Sequence, residues 1–330
     1  MLESNDFVRC LFVDVSKAFD SINHALLFEK LSKLPLQSNV LAWIMNFLSG
    51  RTQAVCHDGV MSDFIEISQS IVQGSGVGPV LFIIYASDLR TLSVQNVVIK
   101  FADDTTLISP ACSDVDISQE FDHLYSWSLQ NKLAVNISKT KELIFRRPRL
   151  SLLVLPPKIP FIERVEVFKL LGVLFSSKNS MNEHVNFILS VVNQRFYLLA
   201  QLKKQGLSMP ALNAIFQALV MSRIKYALPS FAGFLSATNC SRINAILKKA
   251  RRWGITDLCF DSHDIIHSMD CDTFKRMQAS DHCLHYLLPP INSILDMHGL
   301  RPRGHSFTLP SYKKALFKNS FIMRALYNLR

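Results

Sequence analysis

The chain has 330 residues and a formal net charge of +10, and 49% of its residues are hydrophobic while 19% are charged. This balance excludes long disorder, and the length favours two domains over one. The apolar runs are too short to cross a bilayer, and the N-terminus lacks the pattern of a secretory signal. We therefore expect an intracellular protein, in the cytoplasm or nucleus, that does not associate with membranes.

The first half of the chain has the pattern of a mixed α+β fold, because short apolar runs alternate with segments of helical spacing. Strands or helices are predicted at residues 10–15, 24–34, 39–49, 55–57, 78–89, 97–101, 106–109, 118–133, 143–145 and 168–175. From about Asn182 the periodicity is helical almost throughout. Helices are predicted there at residues 183–202, 209–226, 240–254 and 273–288.

Three aspartates lie in or beside apolar strands, where a charge is costly to bury unless a cation meets it. Asp14 stands in the apolar run 11–15, and Asp103 and Asp104 stand at the tip, residues 102–105, of a predicted hairpin. If the strand of Asp14 is a neighbour of that hairpin, the carboxylates converge. Such a cluster suits Mg²⁺, completed by water and phosphate oxygens. Two such ions, with Mn²⁺ as an alternative, support displacement at phosphorus.

Basic residues are clustered. Residues 139–149 hold five basic side chains and one acidic, residues 248–252 are basic but for one alanine, and the last thirty residues hold seven basic side chains and no carboxylate. Such patches indicate a polyanionic partner such as nucleic acid. The alternatives are a role in solubility or an acidic protein partner.

The seven cysteines include no C-x-x-C pair, so we expect no disulfide partner. Cys259, His263, His267 and Cys271 recur every four residues. Four ligands spread over three helical turns do not converge on one ion, so this spacing favours idle side chains over a metal site.

Five motifs occur in an order that resembles the reverse transcriptase domain of non-LTR, LINE-type retrotransposons. They read DVSKAFDSINH, QGSGVGPVLFIIYASDL, FADDTTL, NISKTKELIF and FKLLGVLF, within residues 8–176. The resemblance implies a right-hand polymerase palm, an antiparallel sheet with helices, followed by an α-helical thumb-like region. It implies a palm with partial fingers at 1–176, a thumb-like region at 177–260 and a basic C-terminal helical region and tail at 261–330.

The resemblance also implies an RNA-directed DNA polymerase that uses Mg²⁺, an RNA template, a DNA primer and deoxynucleoside triphosphates. Its implied catalytic and metal-binding carboxylates are Asp14, Asp103 and Asp104. Lys139 would protonate the departing pyrophosphate, although a lysine in a basic run is more often a solvated phosphate contact.

Four further residues take roles from the same resemblance. Phe19 would exclude a 2′-hydroxyl, with an ordinary core aromatic as the equal alternative. Gln73 and Gly74 would border the incoming nucleotide in the loop before a helix, where a glycine lets the backbone approach a ligand. Leu171 and Gly172 would form the turn that grips the primer end.

The chain departs from the family pattern in two places. Only thirteen residues precede Asp14, so we expect a chain truncated upstream, with weak processive synthesis. Where the family reads G-V-P-Q-G-S-V-L-G-P, residues 70–79 read S-I-V-Q-G-S-G-V-G-P. Val72 in place of proline frees a loop, and Gly76, if inside a helix, costs about 1 kcal/mol relative to alanine.

Three alternatives to a working reverse transcriptase stay open from the sequence. One is a catalytically dead remnant that binds RNA or an RNA–DNA hybrid through its basic patches. Another is a structural remnant that folds poorly. The third is a different phosphotransferase on a similar palm, such as an RNA-copying polymerase or a primase-like enzyme.

Overall fold

The computed structural model describes residues 1–147, 154–291 and 305–328, and it divides the chain into two compact units. The first unit is Met1–Glu166 and the second is Val167–Arg330. The predicted palm extended ten residues further, to residue 176. Residues 148–149 of the basic segment, and residues 301–304 and 329–330 of the basic tail, lie outside the described residues.

The first unit mixes strands and helices, as predicted. Its strands are β1 (Phe7–Val13), β2 (Val15–Ser16), β3 (Arg51–Gln53), β4 (Cys56–His57), β5 (Val60–Met61), β6 (Ile65–Ile67), β7 (Val97–Phe101), β8 (Asp104–Pro110), β9 (Ala134–Val135), β10 (Lys141–Arg146) and β11 (Glu163–Val165). Its helices are α1 (His24–Ser32), α2 (Ser38–Leu48), α3 (Gly78–Tyr85) and α4 (Ile117–Gln130).

A five-stranded sheet in the order β11-β10-β1-β8-β7 forms the centre of the first unit. β1 pairs antiparallel with both β8 and β10, and only the pair β10–β11 is parallel. Leu11 and Leu107 on these strands are buried in one apolar cluster with Phe121 and Leu124 of α4. Helix α4 therefore covers one face of the sheet and leaves the strand ends free to carry polar side chains.

A second apolar cluster of the first unit joins α1, α2 and α3. Leu27, Leu48, Leu81 and Tyr85 are its fully or almost fully buried members. Two short ribbons, β3–β6 and β4–β5, occupy residues 51–67. Because α3 packs in this cluster, the loop that precedes α3 is fixed to the same core.

A buried ion network joins three strands of the sheet. Glu142 is fully buried and accepts hydrogen bonds from Arg9 Nε and Arg164 Nε, each at 2.7 Å. Arg9 also contacts Asp116, and both arginines donate to the carbonyl of Pro157. Pairing of this kind compensates a buried carboxylate whose removal from water is costly. The network ties β1, β10 and β11 to the segment that follows residue 153.

The second unit begins with a hairpin and continues as helices. Its elements are β12 (Val167–Leu170), β13 (Val173–Ser176), α5 (Asn182–Lys204), α6 (Met209–Phe216), a π-helical turn (Gln217–Met221), α7 (Ser222–Lys225), α8 (Leu228–Phe231), α9 (Ala237–Arg252), α10 (Ser262–Met277), α11 (Ala315–Lys318) and α12 (Phe321–Asn328), with 3-10 turns at Ala232–Phe234 and His285–Leu287. Val185, Val192 and Leu199 of α5 are fully buried in its largest apolar cluster.

The helix predicted at residues 273–288 is wrong in its bounds. Helix α10 begins at Ser262, because the Asp261 side chain caps it by accepting from the backbone N–H of His263. It ends at Met277, and turns follow. None of the helices in the described parts of the chain combines the length and apolar character that a bilayer crossing requires.

Candidate active site

The hairpin predicted around the paired aspartates is confirmed. β7 and β8 pair antiparallel, and their last paired residues are Phe101 and Asp104. Ala102 and Asp103 alone make the turn, which is shorter than the predicted tip. Ala102 has φ +51°, in the left-handed region that a tight two-residue hairpin turn requires. The turn therefore holds Asp103 and Asp104 at the end of two strands.

Asp14 stands beside this hairpin. It follows Val13, the last residue of β1, and Val13 pairs with Thr105, the neighbour of Asp104 on β8. The pKa of Asp104 is raised, first by burial and then by the negative charges of Asp103 and Asp14. The structure thus brings the three aspartates into one electrostatic group at the ends of adjacent strands, so the condition on which the predicted convergence depended is met.

The backbone of Asp14 is held from both sides by the turn at residues 136–140. The N–H of Asp14 donates to Thr140 Oγ1 at 3.3 Å, and the N–H of Asn136 donates to the carbonyl of Asp14 at 2.8 Å. The Thr140 hydroxyl in turn donates to the carbonyl of Asn136 at 2.8 Å, and Thr140 is fully buried. Thr140 and Asn136 therefore fix the position of Asp14. Both residues belong to the motif NISKTKELIF, but the sequence did not predict this role for them.

Lys139 lies in the same turn. Its backbone N–H donates to Asn136 Oδ1 at 3.3 Å, and the residue is exposed. The turn that carries Lys139 is therefore hydrogen-bonded to the backbone of Asp14. This connection places the exposed lysine on a segment joined to the backbone of one of the three aspartates.

A lysine that the sequence reasoning did not single out anchors the hairpin. Lys100 of β7 donates from Nζ to the carbonyls of Ala86 at 2.7 Å and Leu89 at 3.1 Å. Its pKa is lowered, mainly by burial and next by the nearby charge of Arg90. Lys100 connects the end of the hairpin next to the aspartate turn to the segment after α3. Its only sequence signal is its position directly before FADD.

Phe19 and Gln73 come together through hydrogen bonds between their loops. Gln73 Nε2 donates to Asp20 Oδ1 at 2.8 Å, and the N–H of Ile71 donates to the carbonyl of Phe19 at 2.9 Å. The Phe19 ring is half-buried and stacks on Phe82, with 5.2 Å between ring centroids and 16° between planes. This packing gives the core reading of Phe19 a physical basis, while one part of the ring stays accessible.

The loop before α3 has the geometry that its glycines allow. Gly74 has φ +82°, and a Cβ there would meet nothing within 4 Å. A Cβ on the buried Gly78 would lie 2.9 Å from the carbonyl oxygen of Val72, so this position requires glycine. The expected helix cost of Gly76 is wrong, because α3 begins only at Gly78, whose N–H donates to Ser75 Oγ.

In the second unit, Leu171 and Gly172 form the two-residue turn of the hairpin β12–β13. Both have positive φ, +45° and +85°. Tyr226 donates from its hydroxyl to the carbonyl of Leu171 at 2.8 Å, and a Cβ on Gly172 would lie 3.1 Å from the Tyr226 ring. The turn is therefore fixed to α7 and its following residue.

Helix α9 carries the basic run predicted at residues 248–252. Arg242 and Lys249 donate to the amide oxygens of Asn186 and Asn193 on α5, at 2.7 and 3.2 Å. Lys249 also lies 4.5 Å from the ring centroid of Trp253, a partly exposed residue. These cations have neutral partners instead of carboxylates, so their charge remains available to an anionic ligand.

No group of three or more His, Cys, Asp or Glu within the described residues is arranged to hold a metal ion by itself. Asp14, Asp103 and Asp104 nevertheless supply carboxylate oxygens, which are the ligands of hard divalent cations. Burial raises the pKa of Asp104 first, and the negative charges of Asp103 and Asp14 raise it further, so a cation bound beside these carboxylates would be favoured. The donor set fits an ion that takes its remaining ligands from water and substrate phosphates.

The cysteine and histidine series lacks the arrangement of a metal site. Cys259 precedes α10 and accepts a hydrogen bond from Arg251 Nη1 at 2.6 Å. Within the series, His267 Nε2 and Cys271 Sγ are the pair that the structure records in contact, at 3.6 Å. All seven cysteines are free thiols.

An antiparallel sheet whose strand ends carry three aspartates, with a helix on one face, is the arrangement of a polymerase palm. Residues 5–197 match the family described as "Reverse transcriptase (RNA-dependent DNA polymerase)". This match covers more than half of the chain, so the chain belongs to the reverse transcriptase family, and its palm-like α+β fold follows.

The relatives come from mobile elements of fruit flies. The probable RNA-directed DNA polymerase from transposon X-element of Drosophila melanogaster is 27% identical over 267 residues, covering 76% of this chain and 28% of that protein. The RNA-directed DNA polymerase from mobile element jockey of Drosophila funebris is 24% identical over 269 residues, covering 76% and 29%. The chain thus spans under a third of the length of these non-LTR retrotransposon relatives.

Solved telomerases are similar at a lower level. The telomerase of Candida tropicalis in complex with a TWJ fragment of telomeric RNA matches with a TM-score of 0.42 and 11% identity, covering 86% of this chain and 48% of that one. A truncated apo telomerase from the same organism matches with a TM-score of 0.38 and 15% identity, covering 52% and 34%.

Proposed function

We propose that this chain carries the polymerase centre of an RNA-directed DNA polymerase, which extends a DNA primer on an RNA template with deoxynucleoside triphosphates. The observation that carries the proposal is the placement of Asp14 next to the Asp103–Asp104 turn by the register of β1 and β8. The raised pKa of Asp104 supports it, because the three carboxylates repel one another unless cations are bound.

The reaction is a displacement at the α-phosphorus of the triphosphate. The primer 3′-hydroxyl gives its proton to solvent water, its oxygen bonds to that phosphorus, and the bond from phosphorus to the pyrophosphate oxygen breaks. Divalent ions, Mg²⁺ or Mn²⁺, held by Asp14, Asp103 and Asp104, would lower the pKa of the attacking hydroxyl and stabilise charge on the leaving oxygen. Pyrophosphate leaves and takes up a proton, for which Lys139 is the proposed donor.

The other residues would select and position the substrates. Phe19 would exclude a ribose 2′-hydroxyl with the accessible part of its ring, while Phe82 holds the ring from behind. Gln73 and Gly74 would border the nucleotide, because Gly74 leaves open space beside its backbone. Leu171 and Gly172 would contact the primer end, and the helices that follow would act as the thumb-like region.

A second candidate function is binding of RNA or an RNA–DNA hybrid without chemistry. The neutral partners of Arg242 and Lys249 favour it, because uncompensated cations on a helix attract phosphates whatever the state of the carboxylates. On this reading the aspartates would be an inherited scaffold.

Single-nucleotide incorporation on an RNA template with an annealed DNA primer separates the two functions. We expect Mg²⁺-dependent addition of a deoxynucleotide that is lost in Asp103→Ala and retained in Asp122→Asn, a variant at an exposed aspartate of α4. Hybrid binding, measured by fluorescence anisotropy, is expected to be equal or tighter in Asp103→Ala. If the parent chain binds the hybrid but adds no nucleotide, only the binding function is supported.

A further inference from the structure

A cleft of about 330 Å³ lies within the second unit, between the hairpin β12–β13 and helices α5 and α7. Its walls include Lys169, Arg195, Arg223, Phe187 and Tyr226. None of the described residues that line it carries a carboxylate. The volume is at the lower end of small-molecule sites, which suits a single nucleotide and not a duplex.

The three cations of the cleft take part in no salt bridge within the described residues. Lys169 Nζ lies 4.9 Å from the ring centroid of Phe187, and Arg195 Nη1 donates to the backbone carbonyl of Leu219. Arg223 is exposed and has no charged partner in the described part of the chain. Three positive charges thus border one cleft without an internal anion, which favours an anionic ligand.

The cleft also offers aromatic surface. The rings of Tyr226 and Phe187 belong to side chains that are 52% and 39% exposed. Tyr226 is held in place by its hydrogen bond to the carbonyl of Leu171. Aromatic rings next to cations are the combination that binds a nucleobase together with its phosphate, because every base has a face that stacks.

The remaining polar wall residue adds no charge near neutral pH. His184 is buried, its Nδ1 accepts from the backbone N–H of Leu174 at 3.4 Å, and burial lowers its pKa. Its neutral ring packs edge-on against Phe231. Recognition of an anion in this cleft therefore depends on Lys169, Arg195 and Arg223.

We infer that this cleft binds one nucleoside phosphate unit, with the phosphate among Lys169, Arg195 and Arg223 and the base against Tyr226 or Phe187. The unit is either a free nucleotide or an unpaired nucleotide within a strand. Only the second source rests on the proposed polymerase function, because that function supplies the strand.

Two probes separate the sources: adenosine monophosphate, measured by calorimetry, and a fluorescent eight-residue oligothymidylate, measured by anisotropy. We expect Arg223→Ala to weaken at least one of them about tenfold, as for loss of one charge-assisted contact. Arg276→Ala, an exposed arginine of α10 outside the cleft, is the matched control and should have a smaller effect. Weaker monophosphate binding identifies a free nucleotide, and an effect on the oligonucleotide alone identifies a strand.

Equal effects of Arg223→Ala and Arg276→Ala on both probes would overturn the inference, because the cations would then act only as diffuse charge. Inorganic phosphate that binds as tightly as adenosine monophosphate would overturn the base contact, and so would Tyr226→Ala and Phe187→Ala variants that both bind the probes like the parent. The same titrations on Asp103→Ala keep this test separate from catalysis. If Asp103→Ala binds the probes and no variant or parent chain extends a primer, the proposed polymerase function is disproved and the proposed nucleotide binding in the cleft still stands.

Discussion

The side-chain hydroxyl of Thr140 accepts a hydrogen bond from the backbone N–H of Asp14, although the two residues are 126 positions apart in the chain. The same hydroxyl donates a hydrogen bond to the carbonyl of Asn136, and the backbone N–H of Asn136 donates to the carbonyl of Asp14. The position of a proposed metal-binding carboxylate thus depends on one buried threonine. Because the threonine touches only the backbone, it is a positioning residue.

Thr140→Val removes the hydroxyl while it keeps the branched shape of the side chain. The unpaired N–H of Asp14 should lower the free energy of unfolding by about 1–3 kcal/mol. We expect incorporation to fall about 10- to 100-fold at limiting Mg²⁺, as for other residues that orient metal ligands. The measurement is the rate of single-nucleotide addition as a function of Mg²⁺ concentration.

Thr140→Ser is the matched control, because it keeps the hydroxyl and should retain the Mg²⁺ dependence of the parent chain. If Thr140 had a purely structural role, Thr140→Val would lower stability and the amount of active protein. It would not change the Mg²⁺ concentration that gives half-maximal incorporation, here called the Mg²⁺ midpoint. An unchanged midpoint in Thr140→Val would therefore contradict the positioning role.

Asp104 gives the stability of the chain a defined pH dependence. Because its pKa is raised in the folded state, its ionised form destabilises folding at neutral pH. The cost is absent below the ordinary aspartate pKa of about 3.9 and grows as the pH rises through the raised value. Asp104→Asn should therefore raise the melting temperature at pH 7 without divalent cations. Solvent screening of this largely exposed group keeps the gain to about 1–2 °C.

Thermal unfolding at pH 7 and pH 3.5, with and without Mg²⁺, checks this prediction. The gain should disappear at pH 3.5, and Mg²⁺ should stabilise the parent chain but not Asp104→Asn. Asp122→Asn, on the exposed side of α4, should change neither the melting temperature at either pH nor the stabilisation by Mg²⁺. A loss of stability in Asp104→Asn at pH 7 would show that the carboxylate has a favourable partner in the fold.

The sequence predicted the hairpin at the aspartates because its signals are local. Val97–Phe101 is a run of strand-forming residues, and the predicted and observed bounds of β7 agree. The convergence of Asp14 and Asp104 needed one further assumption, that their strands are neighbours, which no local pattern in the sequence supplies. Local patterns and one topological guess were sufficient for the carboxylate group.

The support of that group could not be predicted, because it depends on contacts between distant segments. Thr140 reads as one polar residue in a basic run, yet it is fully buried, next to the point where Lys141 of β10 pairs with Phe12 of β1. Glu142 reads as the single acid of the same run, yet it is fully buried between two arginines from other strands. Sequence spacing contains no information about either partner.

Glu142 gives a direct test of the buried network. Glu142→Gln removes the carboxylate charge that Arg9 and Arg164 share, so Arg164 loses its anion and the buried Arg9 keeps only the exposed Asp116. Breaking a buried pair in this way typically costs about 3–5 kcal/mol. We expect a loss of that order in urea unfolding. Glu163→Gln breaks only the exposed pair with Lys141, and it should cost under about 1 kcal/mol. Similar losses in both variants would show that burial does not set the strength of the network.

Phe19 decides between substrate selection and simple packing. Its ring stacks on Phe82, and the residue is half-buried. Phe19→Val opens space where a ribose 2′-hydroxyl would lie, so we expect ribonucleotide incorporation relative to deoxynucleotide incorporation to rise about tenfold or more. The measurement is the ratio of kcat/KM for the two triphosphates on the same primer and template.

Phe82→Leu is the control, because it removes the stacking partner and leaves the Phe19 ring in the chain. Both variants should lose stability, since each reduces apolar packing in the cluster of α1, α2 and α3. Only Phe19→Val should change the ratio of the two triphosphates, because only it shortens the side chain that we propose faces the sugar. A ratio that stays constant in both variants would assign Phe19 to the core alone, and the discrimination would then belong to another residue of the loop.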